Sequence, residues 1–220
     1  MAEYIKLTPF GAWVSARVHQ LVTGGRAQSG IRHKGYLQND SYATAAMAKL
    51  RHAAGHEAGA DPDVFEWTMP DTDDTNVTGR VDLHPYSPTP QELAAHTAIT
   101  LFALHQQSIR DMSMHTDENV SLGYAVGLMA YGNFNESGIR HAFDRLQTAN
   151  SWKETARHAR TLVSLLRRER IPLNYGLLAQ HLMYLRANRE LANGVRLRWG
   201  RDFQSAYRRR QTEDRQPQQS

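Results

Sequence analysis

The segment from Thr155 to Arg170 constrains the fold more than any other, because its residues repeat with the period of a two-faced helix. Apolar residues recur at i, i+3, i+4 and i+7, the spacing of one helix face, at Ala159, Leu162, Val163 and Leu166. A second face carries Arg157, Arg160 and Arg167, with almost no acid beside them. Surface helices usually mix charges of both signs. The pattern predicts a helix with one packing face and a purely basic face.

Helix signals recur along the chain, whereas strand signals are scarce. Residues typical of N-caps precede apolar helical runs at Thr8, Thr89, Ser151 and Asn174. The run after Thr89 is apolar on most sides, which predicts a buried central helix. The segment between residues 56 and 90 is acidic, contains prolines and glycines, and has no sustained period. The sequence therefore predicts an all-α protein of about eight helices, packed as bundles, with a long acidic loop between residues 56 and 90.

The end of the chain predicts one more helix and a tail. Apolar residues about four apart predict a buried stripe on this last helix, at Leu191, Val195, Trp199 and Phe203. The polar residues 208–220 that follow predict a disordered tail.

Composition excludes several classes of protein and points to an anionic partner. The chain has no cysteine, which removes disulfides, thiolate nucleophiles and cysteine–zinc sites. It has no apolar run long enough to cross a bilayer and no signal peptide, so we expect a cytoplasmic protein with no membrane contact. Net charge is +4 over residues 1–60, −9 over residues 61–135 and +9 over residues 136–220. Arginine accounts for 22 of the 26 basic residues, and its planar fork suits phosphate and carboxylate.

Candidate chemical sites are incomplete. His52 and His56 have the i, i+4 spacing of metal ligands but lack the glutamate of a zincin motif. The loop that contains His115, Asp117 and Glu118 offers cation ligands, although polar loops commonly do so without binding an ion. The glycine-rich stretch TGGRAQSG lacks the Lys-Ser/Thr ending of a phosphate-binding loop. The sequence therefore predicts no enzyme activity, no cofactor and no metal.

The basic helix faces are the positive signal for function. Like charges at i, i+3 and i+7 repel one another unless an anion lies against them, and a nucleic-acid backbone can do so with release of counterions. The alternative is a solvated surface with arginine stems packed over leucine. No helix-turn-helix and no RNP aromatic residues are visible, so the contact should be with the backbone and independent of sequence. The candidate residues are Lys49, Arg51, Arg140, Arg157, Arg160, Arg167, Arg186, Arg189, Arg198 and Arg201, and Arg196 lies among them.

The second half of the chain resembles a known family. The runs HTAITLFALHQQS, SLGYAVGLMAYGNFNESGIRHAFDRLQTA, LVSLLRRERIPLNYGLLAQHLMYL and RLRWGRDFQSAY follow one another between about residue 94 and residue 207, with a shorter echo in AKLRHAAG. Their order and spacing resemble the CasB-type small subunit of Cascade, the type I-E CRISPR surveillance complex. The resemblance places Arg140, Arg157, Arg160, Arg186 and Arg189 near basic positions of the family. Here His52 follows Arg51 where the family usually has a second arginine, and Tyr124 follows SLG where a basic residue is common.

The resemblance implies a non-catalytic protein of two helical bundles. We expect an N-terminal bundle over residues 1–130, which includes the acidic loop, and a C-terminal bundle over residues 131–207. The implied partners are the guide RNA, the target and non-target DNA strands, the backbone subunits and large subunit of Cascade, and a second copy of the chain. The implied role is to stabilise the R-loop by holding the displaced non-target strand through charge and shape, while base pairing reads the sequence.

Three other functions stay open at this stage. A helical regulator that binds duplex DNA would need a helix-turn-helix and a dimer, and neither is visible. A protein–protein scaffold would bind its complex unchanged when the arginines are reversed in charge. A metal-dependent hydrolase would contain bound metal after purification.

Overall fold

The computed structural model describes residues 6–80 and 86–215, and helices form nearly all of the regular structure within them. The α-helices are α1 (Pro9–Thr23), α2 (Ser41–Ala53), α3 (Phe65–Thr68), α4 (Thr75–Thr78), α5 (Pro90–Gln106), α6 (Leu122–Ala130), α7 (Glu136–Gln147), α8 (Trp152–Glu169), α9 (Tyr175–Ala187) and α10 (Arg189–Arg215). Two short strands, β1 (Gly25–Arg26) and β2 (Arg32–His33), pair in an antiparallel hairpin. Eight of these helices have nine residues or more, which confirms the predicted all-α fold of about eight helices.

The predicted helix starts are capped. The Oγ1 atom of Thr8 accepts a hydrogen bond from the Gly11 N–H at 3.2 Å. Thr89 and Glu92 form a complete capping box, in which each side chain accepts from the backbone N–H of the other residue. At α8 the Ser151 hydroxyl accepts from the Glu154 N–H as expected. In a capping box the Glu154 carboxylate would accept from the Ser151 N–H. Here it accepts instead from the N–H of Asn150, one residue earlier.

Helix α5 is the centre of the core, as its sequence predicts. Every residue from Ala94 to Ala103 is buried, and α5 packs against α1, α2, α8 and α9. His105, near its C-terminal end, lies with Nδ1 2.9 Å from the buried hydroxyl of Tyr175. Burial lowers the pKa of His105 to about 3, so its imidazole is neutral at pH 7.

Helices α6 and α10 approach closely along a contact that we call the α6–α10 seam. A Cβ atom on Gly123 would lie 2.3 Å from the Trp199 carbonyl oxygen, and one on Gly127 would lie 2.4 Å from that of Phe203. Only glycine permits this backbone approach. Trp199 is fully buried there, and its indole N–H donates to Nδ1 of His181 at 2.9 Å.

The predicted stripe on α10 is correct at three of its four positions. Val195, Trp199 and Phe203 are buried, but the Leu191 side chain is 39% exposed. Ala192 is buried in its place. An α-helix has 3.6 residues per turn, so residues spaced exactly four apart rotate gradually away from one face. In the first turn of α10, Ala192 therefore faces the core in place of Leu191.

The acidic segment is irregular but partly packed. It contains a 3₁₀ turn at Pro62–Val64 and the two single-turn helices α3 and α4. Val64, Trp67 and Val77 are buried, so apolar side chains fasten the segment to the helical core. Residues 81–85 lie outside the described residues.

Helix α10 continues through Arg215, beyond residue 207, where the sequence places the start of a disordered tail. Arg209 stabilises this extension through an ion pair with Glu213 at 2.9 Å and a hydrogen bond to the Tyr124 hydroxyl at 3.0 Å. Residues 216–220 of the predicted tail lie outside the described residues.

Helices from both predicted bundles share one hydrophobic core. Helix α9 packs against α1 and α5, and α10 packs against α6 and α9. The division at residue 130 stays a prediction.

Candidate nucleic-acid interface

Helix α8 has the two faces that its sequence predicts. Ala159, Leu162, Val163 and Leu166 have no exposed surface, while Arg157 is exposed. The only polar contact of the Arg157 guanidinium in the described residues is with the His158 ring at 3.5 Å. Glu154, one turn before Arg157, uses its carboxylate chiefly for the Asn150 N–H, which lowers the pKa of Glu154. Arg157 is therefore the most available cation of this face.

Arg160 lies on the same helix but also contacts α2. Its Nη1 donates to the carbonyl oxygen of Ala54 at 2.6 Å, at the C-terminal end of α2. The carbonyls at a helix C-terminus carry partial negative charge, and a cation there is favourable. Arg160 thus fixes α8 against α2, a structural role that the sequence analysis does not anticipate.

Arg167 is half-buried and donates to Oε1 of Gln107 at 2.9 Å, just after α5 ends. The arginines of α8 therefore differ: Arg157 points to solvent, whereas Arg160 and Arg167 each give one N–H group to the protein. A guanidinium has five donors, so both retain donors for a further ligand.

Arg140 and Arg198 are held by acids one turn away. Arg140 pairs with Glu136 at 2.9 Å, and its guanidinium also lies 4.7 Å from the centre of the Tyr207 ring. Arg198 donates to Oδ1 of Asn119 at 2.8 Å and lies 3.4 Å from the Asp202 carboxylate. These contacts join α7 and the 119–121 loop to α10, so both arginines have structural partners.

The other candidates divide between paired and free cations. Lys49 is exposed and lies 3.8 Å from the carboxylate of Asp63. Arg51 is half-buried. Arg186, Arg189 and Arg201 are exposed. Within the described residues, the last four, Arg51, Arg186, Arg189 and Arg201, form no ion pair.

One groove on the surface of α10 gathers several cations. It has a volume of about 600 Å³ and is lined by Arg196, Arg201 and Arg208, with Leu197 and Gly200 between them. Arg196 also donates to the Gln147 carbonyl oxygen at 2.8 Å, which ties this face of α10 to the end of α7.

Sequence reasoning missed a basic surface on the β1–β2 hairpin. Arg26, Arg32 and Lys34 are all exposed there and line one groove. Two-residue strands are too short for an alternating pattern to be recognised. The sequence does contain one indication of this surface, the separation of two residues between Arg32 and Lys34, which places both side chains on the same side of an extended strand.

Two histidine clusters test the predicted absence of a metal. His19, His115 and Asp117 lie close together, but Nδ1 of His115 accepts the Tyr175 N–H and its Nε2 lies 2.9 Å from the Ser15 hydroxyl. Both ring nitrogens are therefore engaged, which does not fit a metal ligand. Burial lowers the pKa of His115 to about 4.

The second cluster contains His52 and His56, which the sequence analysis singled out, and adds Asp61. The Nδ1 atom of His56 lies 2.6 Å from the Asp61 carboxylate, and both histidines are exposed. This arrangement is an ordinary surface hydrogen bond between an imidazole and a carboxylate. The absence of a metal stays a prediction, as does the absence of catalysis.

Within the described residues, no helix combines the length and the apolar character that crossing a bilayer requires.

Comparisons with known proteins identify relatives of the whole fold. The sequence profile of the family described as CRISPR-associated protein Cse2 matches residues 46–203. The crystal structure of CasB from Thermobifida fusca is 33% identical, covers 90% of this chain and 99% of that chain, and superimposes with a TM-score of 0.67. No curated protein sequence matches the chain.

Two more distant structures, both from Thermus thermophilus, share the fold. One is a CRISPR-associated protein of the Cse2 family that is 18% identical, with a TM-score of 0.59 and coverage of 91% of this chain and 100% of that one. The other is a CasB that is 19% identical, with a TM-score of 0.58 and the same coverage. The profile match over residues 46–203 and the 33% identity to the Thermobifida fusca CasB together assign this chain to the CRISPR-associated Cse2 family, that of the CasB-type small subunits of Cascade.

Proposed function

We propose that this chain is a non-catalytic, cytoplasmic subunit of a type I-E Cascade complex that stabilises the R-loop. It holds the displaced non-target DNA strand through backbone phosphates and also lies near the guide RNA and target strand. The observation that carries the proposal is the set of exposed arginines without an ion pair in the described residues, Arg157, Arg186, Arg189 and Arg201. Cations without an internal counterion can neutralise phosphates and release the counterions condensed on the nucleic acid.

The distribution of the remaining candidates refines the proposal. Arg140 and Arg198 use their charge within the protein, so we assign them a positioning role. Arg160 and Arg167 combine a structural contact with spare donors and belong to the edge of the strand path. Because the proposed contact is with backbone phosphates, it is independent of base sequence.

Exposed apolar side chains support contact with other subunits. The Phe134 side chain, between α6 and α7, is fully exposed, and Leu197 on α10 is 54% exposed. Aromatic and aliphatic groups in water favour burial at a protein interface. We propose that such surfaces meet the backbone subunits, the large subunit or a second copy of the chain.

The test uses the reconstituted complex on target DNA. A variant with Arg157→Gln, Arg189→Gln and Arg201→Gln should assemble normally but leave unpaired thymines of the displaced strand more reactive to permanganate. The matched control removes the same charge at three exposed cations elsewhere, with Lys6→Gln, Arg80→Gln and Arg210→Gln. Unchanged protection in an assembled variant would reject the strand-holding role and favour a scaffold.

A further inference from the structure

The β1–β2 hairpin places three cations on one side of a short ribbon. Its register pairs Arg26 with Arg32 and Gly25 with His33. Side chains directly opposite one another in an antiparallel pair lie on the same face, with Cβ atoms about 5 Å apart. Lys34 follows Arg32 by two residues, and the alternation of an extended chain turns it to that same face. All three side chains are exposed.

On the opposite face of the ribbon, His33 packs into the protein and fixes the orientation of the hairpin. His33 is buried, and its ring centre lies 5.3 Å from that of Tyr42 and 5.8 Å from that of Trp67. Trp67 belongs to α3, in the acidic segment. The hairpin therefore packs on aromatic rings and cannot turn its cations inward.

The base of the hairpin is closely packed, because two glycines meet there. Gly24 and Gly35 have φ of +96° and +86°, in the region that favours glycine. A Cβ on Gly35 would lie 2.3 Å from the Gly24 nitrogen, and one on Gly24 would lie 2.5 Å from the His33 carbonyl oxygen. The two chain segments therefore touch backbone to backbone, which holds the basic face in one arrangement.

The tip of the hairpin is also attached to the protein. The Ser29 N–H donates to the Glu66 carboxylate at 3.1 Å, and the Gln28 side chain donates to the Met69 carbonyl oxygen at 3.2 Å. Glu66 lies beside the basic hairpin yet accepts from Ser29 and Tyr42, not from the arginines. The loop is thus fixed without neutralising its charge.

The charges on this face are not balanced from within the described residues. Arg26, Arg32 and Lys34 form no ion pair there, and like charges directly opposite one another destabilise a ribbon. One carboxylate, that of Asp40, lies in the same groove of about 470 Å³. Its oxygens accept the backbone N–H groups of Lys34 and Ala43. With three cations and one carboxylate, the groove carries a formal charge of +2.

We propose that this hairpin face binds the phosphate backbone of a single nucleic-acid strand, as a contact site separate from the arginine face of α8. Two facing arginines can grip one phosphate from both sides, and Lys34 can take the next. A strand with a phosphate on every nucleotide can engage all three cations, whereas a free phosphate reaches the opposed pair at most. The site is defined by the hairpin alone, but its assignment to nucleic acid rests on the proposed function.

The experiment measures binding of the full chain to a fluorescent oligothymidine over a range of salt concentrations. The hairpin variant carries Arg26→Gln, Arg32→Gln and Lys34→Gln, and the control carries Lys6→Gln, Arg80→Gln and Arg210→Gln. Loss of contacts to two phosphates at roughly −0.7 each should make the slope of log affinity against log salt shallower by about 1.4. We expect affinity at low salt to fall on the order of tenfold or more, with the control close to wild type.

A second pair of measurements keeps the result interpretable. Thermal unfolding of the hairpin variant should match or slightly exceed that of wild type, because removing opposed like charges relieves repulsion. Inorganic phosphate and polyglutamate are added as competitors to wild type. Nucleic-acid specificity requires that neither displaces the oligothymidine at equal charge concentration.

The outcomes separate this site from the proposed function. A folded hairpin variant with wild-type affinity and salt slope would overturn the hairpin site. If the α8 variant Arg157→Gln then weakens binding, the proposed function still stands. Efficient displacement by polyglutamate or phosphate would overturn the assignment to a nucleic-acid strand and identify a general anion surface.

Discussion

The outer face of α8 and the surroundings of the α6–α10 seam both carry arginines, but the two regions use them differently. Near the seam, each of three arginines pairs with an acid one helical turn away, in the pairs Arg140–Glu136, Arg198–Asp202 and Arg209–Glu213. On the outer face of α8, none of the three arginines, Arg157, Arg160 and Arg167, forms an ion pair within the described residues.

The difference shows how neighbouring acids decide the role of an arginine. A carboxylate at i+4 or i−4 forms an ion pair with the guanidinium, so the arginine charge is neutralised within the helix. Without one, the donors go to a backbone carbonyl, as at Arg160, or stay in solvent, as at Arg157. The seam is therefore the region where we expect stability to change on substitution. The α8 face is where we expect binding to change.

Trp199→Ala should give the largest effect, because it empties the centre of the seam. Removing a fully buried indole and its hydrogen bond to His181 should lower the free energy of unfolding by about 3–5 kcal/mol. Leu197→Ala, on the exposed side of the same helix, is the matched control and should change it by roughly 0.5 kcal/mol or less. Urea unfolding followed by circular dichroism measures both. Equal effects of the two substitutions would show that the seam is not the stabilising region.

Acid should weaken the same region through His181. Burial lowers the pKa of folded His181 to about 3, while the unfolded chain keeps a value near 6.5. The unfolded chain binds the proton first, so the stabilisation is complete above pH 6.5 and is lost as the pH falls towards 3. Between pH 6.5 and pH 5 we expect a loss of about 2 kcal/mol from this residue.

Unfolding in urea at several pH values checks the His181 prediction. His181→Gln should reduce the pH dependence without abolishing it, because the buried His105 and His115 also have lowered pKa values. The substitution also lowers stability at neutral pH. An unchanged slope of stability against pH in that variant would show that His181 is not the titrating group.

Arg160→Gln and Arg157→Gln compare two positions on one helix face. Arg160→Gln removes the contact with the Ala54 carbonyl oxygen and should lower stability by about 1 kcal/mol. Arg157→Gln removes no internal contact of that kind and should change stability by roughly 0.5 kcal/mol or less. Chemical unfolding of both variants, under the same conditions, measures the difference. A larger cost at Arg157 would contradict the division of roles on α8.

The smallest effect in energy is the one that tests function. Arg157→Gln should make the salt slope of single-strand binding shallower by roughly 0.7, the value for one phosphate contact. Arg140→Gln, whose partner is Glu136, should leave the slope unchanged. If Arg140→Gln reduces the slope and Arg157→Gln does not, the comparison between seam and α8 is reversed.

Helix positions and faces could be predicted because they depend on local spacing. The caps at Thr8, Thr89 and Ser151 and the buried face of α8 follow from residues three or four apart. The i, i+4 acid beside Arg140 was readable from the same spacing and would have marked it as a paired residue.

The candidate site was less predictable because its contacts are remote in sequence. Arg160 donates to the carbonyl oxygen of Ala54, which lies 106 positions earlier in the chain. Arg167 donates to the side chain of Gln107, which lies 60 positions earlier. The hairpin cations become a surface only because Gly24 and Gly35 bring their segments together. A periodic pattern in the sequence does not indicate contacts between residues that are far apart along the chain.

The sequence alone determined the helices, their apolar faces, the separation of charge along the chain and the resemblance to CasB-type subunits. These follow from the 3.6-residue period and from caps within one turn of each helix start. The tertiary structure alone decided which arginines of α8 are used internally and which face solvent, because a guanidinium without an acid one turn away takes whichever acceptor the packed chain brings near. Arg160 and Arg157 are three residues apart on one face, yet only the approach of α2 makes one structural and leaves the other free.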